Sequence, residues 1–298
     1  MSDKKRANGG WVGPGRDRIA RIAVVVAATL AVAALASHRL IDWGRDAIEP
    51  IAIELERVRR LAYAASGQPL PGTPDLANLS GRLTAQGLKL GAPVFVRIFK
   101  REFELELWMQ RADRFERFAI YPICRWSGEL GPKLQEGDQQ APEGFYTVTA
   151  KALNAASRWH RAFDLGYPNA FDRAHARTGS LLMVHGGCAS IGCFAMTDPV
   201  VDEIWRLITA ALNGGQARFH VHVFPFRMTP ENLAGRQTQR WGAFWRDLER
   251  GYAAFEATHV PPSIGVCGGR YIVAQSADRQ GGRHEIANSC IDLTGDRG

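Results

Sequence analysis

The densest run of reactive and small residues in the chain is VHGGCASIGCFAMTD, from Val184 to Asp198. It sets His185, Cys188 and Cys193 among Gly186, Gly187 and Gly192, with Ser190 between the two cysteines. A thiol is a nucleophile only as its thiolate, and an imidazole within reach can take its proton. Glycines around such a pair let the backbone approach closely or take positive φ, which aims peptide N–H groups at a developing oxyanion. The chemistry these residue types support is acyl transfer through a thioester. The competing reading is structural, a Cys188–Cys193 disulfide in a tight turn. Ser190 fits a local hydrogen bond across the turn better than a nucleophile's role beside a cysteine.

The chain has five cysteines, Cys124, Cys188, Cys193, Cys267 and Cys290, so at least one is unpaired within it. Cys124 with Cys188 and Cys267 with Cys290 are further candidate pairs. His220 and His222 alternate along a predicted strand and share a face. With Cys188 or His185 they could make a zinc site, but two histidines on one strand face more often pack or face solvent, and no metal and no cofactor is assigned. Tyr167 and His160 lie in the loop-rich RWHRAFDLGYPN stretch. Tyr167 is either a donor-site residue or a ring packed in a turn before Pro168, and His160 is a surface or support residue. Trp241, Phe244, Trp245, Tyr252 and Phe255 read as helix packing, with carbohydrate binding as the lesser alternative.

These residues need elements to hold them. Thr197-Asp198-Pro199 predicts a helix start and Asn213-Gly214-Gly215 its end, with Val200, Ile204, Leu207, Ile208 and Ala211 on one apolar face. Alternating apolar runs predict strands at Val94 to Phe99, Phe103 to Leu107, Phe115 to Ile123, Gly144 to Thr149, Leu181 to Val184 and Ala217 to Phe226. A second helix is predicted to start at Thr229-Pro230 and run through Tyr252. Upstream, Ile41, Ile48, Ile51, Leu55, Val58 and Leu61 predict an amphipathic stalk or packing helix over 40–62, and residues 66–75 (SGQPLPGTPD) a linker. The tail after Gln275 is polar and is assigned no structure. The expected architecture is α+β, mainly β, in one large domain or two small ones.

The 298 residues carry a formal charge of +7, which would suit a nucleic-acid or anionic-membrane partner were it spread over the body. It is not. Residues 1–36 hold six basic and two acidic side chains, and the remainder 31 basic and 28 acidic. Nucleic acid is therefore excluded as an expected partner. The basic stretch precedes the apolar run Ile22 to Ala36, which ends in Ala34-Leu35-Ala36, the form of a cleavable secretory signal. The alternative is an inner-membrane anchor, although fifteen residues give only about 22 Å of helix. Either places the body outside the cytoplasm, in the periplasm or cell envelope, by the Sec route.

Three segments, IYPICRWSGELGPKLQEGDQQAPEGFYTV (120–148), ALNAASRWHRAFDLGYPNAFDR (152–173) and HGGCASIGCFAMTD (185–198), resemble in order the L,D-transpeptidase catalytic-domain family of the YkuD type, most closely its YafK-like branch. The similarity runs over roughly residues 75–275. It implies a YkuD-like β-sandwich at 76–227 with a helix after the cysteine loop, preceded by a signal or anchor (1–36) and a helical stalk with its linker (37–75). A C-terminal helical extension (228–275) and a flexible tail (276–298) would follow. The family's Ser-x-Gly-Cys pattern falls on Ser190 to Cys193 and its His-Gly on His185-Gly186. The resemblance thus implies Cys193 as nucleophile, His185 as proton acceptor and donor, Gly192 as an oxyanion N–H donor, and Tyr167, Ser190 and Gly186 on the substrate side. Ile191 stands where the common pattern has His, and Ala195 and Met196 where it has Arg or Asn. The His185–Cys193 loop is about half the usual length, as in the YafK-like branch. The implied activity forms a Cys thioester with the diaminopimelate of a peptidoglycan stem peptide and passes it to an amine. The alternatives are an amidase that uses water to release a D-amino acid or a murein-linked protein, and a catalytically silent cell-wall binding protein.

Overall fold

A computed structural model describes residues 48–274. Its framework is two five-stranded sheets and a two-stranded hairpin. The first sheet has the order β3 (Arg114–Pro122), β2 (Glu104–Arg111), β1 (Val94–Phe99), β10 (Arg218–Phe224), β5 (Gly144–Thr149), and β1 and β10 are parallel. The second has the order β4 (Arg125–Trp126), β9 (Phe194–Ala195), β8 (Met183–His185), β7 (His160–Asp164), β6 (Leu153–Ser157). A mainly β, α+β fold is what the alternating runs predict.

The shared core takes Val94, Val96 and Ile98 from β1, Val221 and Val223 from β10, and Phe163, Val184 and Phe194 from the second sheet. Helix α4 (Asp198–Asn213) closes it, with the five predicted apolar-face residues wholly buried. Its bounds match the Thr-Asp-Pro start and the Gly-Gly end. The opposite face of the first sheet presents Phe95, Phe99, Phe145 and Phe224, the last three in one cluster with Phe244, Trp245 and Leu248 of α6 (Gly242–Thr258) and Phe95 packed with Phe255 of the same helix. Sheet strands covered on both faces lose the polar alternation, which is why β1 is buried throughout. Short helices α2 (Leu79–Ala85), α3 (Ala170–Ala174) and α5 (Pro230–Leu233) fill the periphery.

Two buried ion pairs sit in this frame. Arg97 lies among the rings of Phe99, Trp108, Tyr252 and Phe255 and donates to Glu106 at 2.7 and 2.9 Å. Burial alone would raise the Glu106 carboxyl, but Arg97 and Arg227 bring it down to about 2. Lys100 Nζ, wholly buried, donates to Glu143 and to the carbonyls of Glu129, Gly131 and Ala141. That one ammonium gathers the 129–143 loop onto the end of β1.

Two expectations need correction. The helix expected from Thr229 through Tyr252 is two, α5 and α6, because Gly235 takes φ +76° and Arg236 is buried between them. The C-terminal extension is not only helical: β11 (Ser263–Cys267) and β12 (Arg270–Ala274) form a hairpin over Gly268-Gly269. The upstream helix, α1 over 48–65, leaves its apolar stripe Ile48, Ile51, Leu55 and Val58 exposed. Its inward contacts are Ile53 and two arginines. Arg57 lies over Trp126 and bonds the Gly128 carbonyl, while Arg60 lies over Phe103 and bonds the Ile123 carbonyl. Among the described residues no helix is long and apolar enough to cross a membrane; the expected signal or anchor at 1–36 and the tail 276–298 lie outside the described residues.

Candidate active site

Strands β8 and β9 run parallel, with Val184 opposite Phe194 and His185 opposite Ala195. Val184 and Phe194 belong to the core, so alternation sends His185 and Ala195 to the other face. Cys193, two residues before Ala195, projects to that same face, about 7 Å along the strand from the His185 row. The register of two short strands is thus what turns thiol and imidazole to one face, and both line one cleft of about 740 Å³.

Both groups are neutral at rest. The Cys193 Sγ accepts the Met183 N–H at 3.4 Å and donates to the Leu181 carbonyl at 3.6 Å. Burial pushes the thiol up, against the Met183 N–H that favours the thiolate; Asp164 adds to the rise and Lys133 opposes it. Burial also lowers His185, and its bond to the Gly186 carbonyl offsets part of that. Since a carbonyl only accepts, the 2.5 Å contact between His185 Nδ1 and Gly186 O puts the proton on Nδ1. Nε2 keeps its lone pair and can take a proton from a thiol. The Trp159 ring stacks on the imidazole, 6.1 Å between centroids, and limits its rotation.

The loop between them is held at several points. Asp198, the first residue of α4, accepts the Gly187 N–H at 2.8 Å. A Cβ at Gly186 would meet that carboxylate at 2.4 Å, so only glycine lets the loop pass so near. Ser190 Oγ donates to the Cys193 carbonyl at 2.7 Å and accepts the Gly192 N–H at 3.3 Å, while Gly192 takes φ +124°. Cys188 is disulfide-bonded to Cys124, the residue before β4. The turn disulfide Cys188–Cys193 is therefore excluded, and Cys193 is a free thiol. Cys267 is disulfide-bonded too, while its expected partner Cys290 lies outside the described residues.

The other candidates are dispersed. Tyr167 is buried, and its hydroxyl donates to the Lys133 carbonyl, so it reaches the cleft only through the segment carrying Lys133. Gly186 supports His185, and Ser190 both lines the cleft and braces the loop. His160 pairs with Asp202 at the surface, 2.8 Å away. His220 bonds Thr147, and His222 is packed between Phe95 and Phe145 on the first sheet. They do not join His185, and among the described residues no cluster of three potential metal ligands occurs. Sequence reasoning missed Trp159, Arg125 and Lys133, which line the cleft, and the tie from Asp198. Trp159 and Arg125 lie within quoted motifs, but their facing follows only from strand pairing.

No protein-family model matches the chain. It is 41% identical over 200 residues to the Escherichia coli K12 protein named "Putative L,D-transpeptidase YafK", spanning 67% of this chain and 81% of that protein, and the protein of the same name from Escherichia coli O157:H7 matches equally. Among solved structures it is similar to the helical cell shape determining protein Pgp2 from Campylobacter jejuni, at 19% identity and TM-score 0.35, over 50% of this chain and 56% of that one. It is also similar to Bd1075 from Bdellovibrio bacteriovorus, at 18% identity and TM-score 0.32, over 45% and 48%. At 41% identity across four fifths of the Escherichia coli protein, this chain belongs to the L,D-transpeptidase family, in its YafK-like branch.

Proposed function

We propose that the protein is a cysteine-dependent acyltransferase of the cell envelope acting on peptidoglycan stem peptides. The observation that carries this is that one cleft holds both the free thiol of Cys193 and a His185 whose Nε2 is left as acceptor. His185 Nε2 takes the thiol proton, and the sulfur adds to the donor carbonyl of diaminopimelate. The negative oxygen is met by the N–H of Cys193 and that of Gly192, which leaves its long 3.3 Å bond to Ser190; one such donor is worth about 3 kcal/mol. The C–N bond breaks as His185 returns the proton to the leaving amine, and the thioester remains. An incoming amine gives up a proton to His185, attacks the thioester, and yields a cross-link or a tethered protein.

A second reading has water in place of the amine, releasing a D-amino acid or a murein-linked protein. It is favoured by Ala195 and Met196, buried apolar residues that offer no polar group to an amine acceptor. Purified protein incubated with a tetrapeptide-stem muropeptide separates these by product: cross-linked dimers support transfer, and shortened monomers support hydrolysis. Neither product, with no labelling of Cys193 by a carbapenem, would leave a silent cell-wall binding protein.

A further inference from the structure

Three strands bring a third side chain into the His185 row. Ala195 stands opposite His185 on one side and opposite Arg125 of β4 on the other. The neighbouring row, Val184, Phe194 and Trp126, is wholly buried in the core, so Arg125 and His185, which both line the cleft, project to one face with the buried Ala195 between them. Arg125 and His185 are two strand spacings apart, about 10 Å between Cα atoms. Only the methyl of Ala195 lies between them, so a guanidinium and an imidazole can converge on one bound group.

Three cations line the cleft: Arg125, Lys133 and Arg158. Lys133 is already neutralised by Asp138, and Arg158 is an exposed side chain over the Trp159 ring. Arg125 is half-buried, and among the described residues its guanidinium has neither a carboxylate nor an aromatic partner. A guanidinium presents a planar fork of donors that matches a carboxylate. We propose that Arg125 binds a carboxylate flanking the scissile bond of the stem peptide, an assignment that rests on the acyl-transfer reading above. The peptide offers two, the terminal carboxylate of the leaving D-amino acid and the free carboxylate on diaminopimelate. The leaving residue's is the nearer, because Arg125 shares a row with the histidine that protonates the leaving amine.

The test uses a tetrapeptide stem in three forms, with both carboxylates free and with each amidated in turn. Wild type, Arg125→Gln and Arg125→Lys are compared. With the free form, Arg125→Gln raises KM roughly 10- to 100-fold with a smaller change in kcat, and Arg125→Lys recovers part of the loss. Amidating one carboxylate costs wild type a similar factor and costs Arg125→Gln almost nothing further, and the form that behaves so identifies the carboxylate. Tm and iodoacetamide labelling of Cys193 stay at wild-type levels, since among the described residues the guanidinium makes no ion pair or ring contact. A loss below threefold, or losses that multiply fully with both amidations, overturns the assignment. Titration of the Cys193→Ala protein keeps the two readings apart. Binding that depends on Arg125 without any thioester in wild type sinks the acyl-transfer reading alone. Thioester formation indifferent to Arg125 sinks this assignment alone, and no binding at all sinks both.

Discussion

At the residue scale, the proposed proton transfer runs from the Cys193 thiol to His185, two groups that line one cleft. Burial lowers His185 against the opposing Gly186 bond, so the imidazole stays an acceptor to a lower pH than an ordinary histidine. The acid limb of kcat/KM is therefore expected below the usual histidine value, and a limb at or above that value would contradict the account. The Cys193 thiol is pushed up by burial, so without substrate its alkylation by iodoacetamide should keep rising with pH until above the usual thiol range. His185→Gln is expected to lower kcat by about 10²- to 10⁴-fold while the fold persists, as measured by stopped assays beside thermal melts. The pair was legible from residue types alone, since histidine, cysteine and glycine crowd into fifteen residues. The Nδ1 tie was not, because it runs to a backbone carbonyl and any residue could have supplied that.

At the element scale, the helix that follows the cysteine also fixes the loop before it. Asp198 accepts the Gly187 N–H and sits where a carboxylate complements the positive end of a helix. Asp198→Ala should cost about 1 kcal/mol of stability and a larger share of activity, read as a modest fall in Tm beside a clear fall in kcat. Equal activity in that variant would remove the tie from the mechanism. The bounds of α4 were legible because a cap, a proline and two glycines punctuate an apolar face. The gap between α5 and α6 was not, since only Gly235 marks a break in the polar stretch 234–240 and no proline follows it there. Strands β6 and β7 were also hidden, because an exposed edge hairpin carrying Arg158, His160 and Arg161 shows little apolar alternation.

At the scale of the whole molecule, two long-range devices hold the cleft together. The Cys124–Cys188 disulfide closes a separation of 64 residues and ties the loop to the edge of the second sheet. By chain entropy it is worth about 4 kcal/mol, so the double replacement Cys124→Ser, Cys188→Ser should lower Tm clearly and reduce kcat. Lys100 reaches from β1 to the opposite wall, and Lys100→Met leaves Glu143 buried without its cation, at about 3–5 kcal/mol. Urea unfolding would check that value, and a loss under 1 kcal/mol would show that the pair does not organise the wall. Membership of the family and the sandwich of sheets were both foreshadowed by the order of motifs. The acceptor was not, because Ala195 and Met196 after Cys193 carry no polar group that would select one. The central claim is the thioester, and mass spectrometry of the protein quenched during reaction with a tetrapeptide-stem muropeptide tests it most directly. The account predicts an acyl adduct on the peptide containing Cys193, absent from Cys193→Ala; no adduct, or muropeptide processing by Cys193→Ala at the wild-type rate, would contradict it.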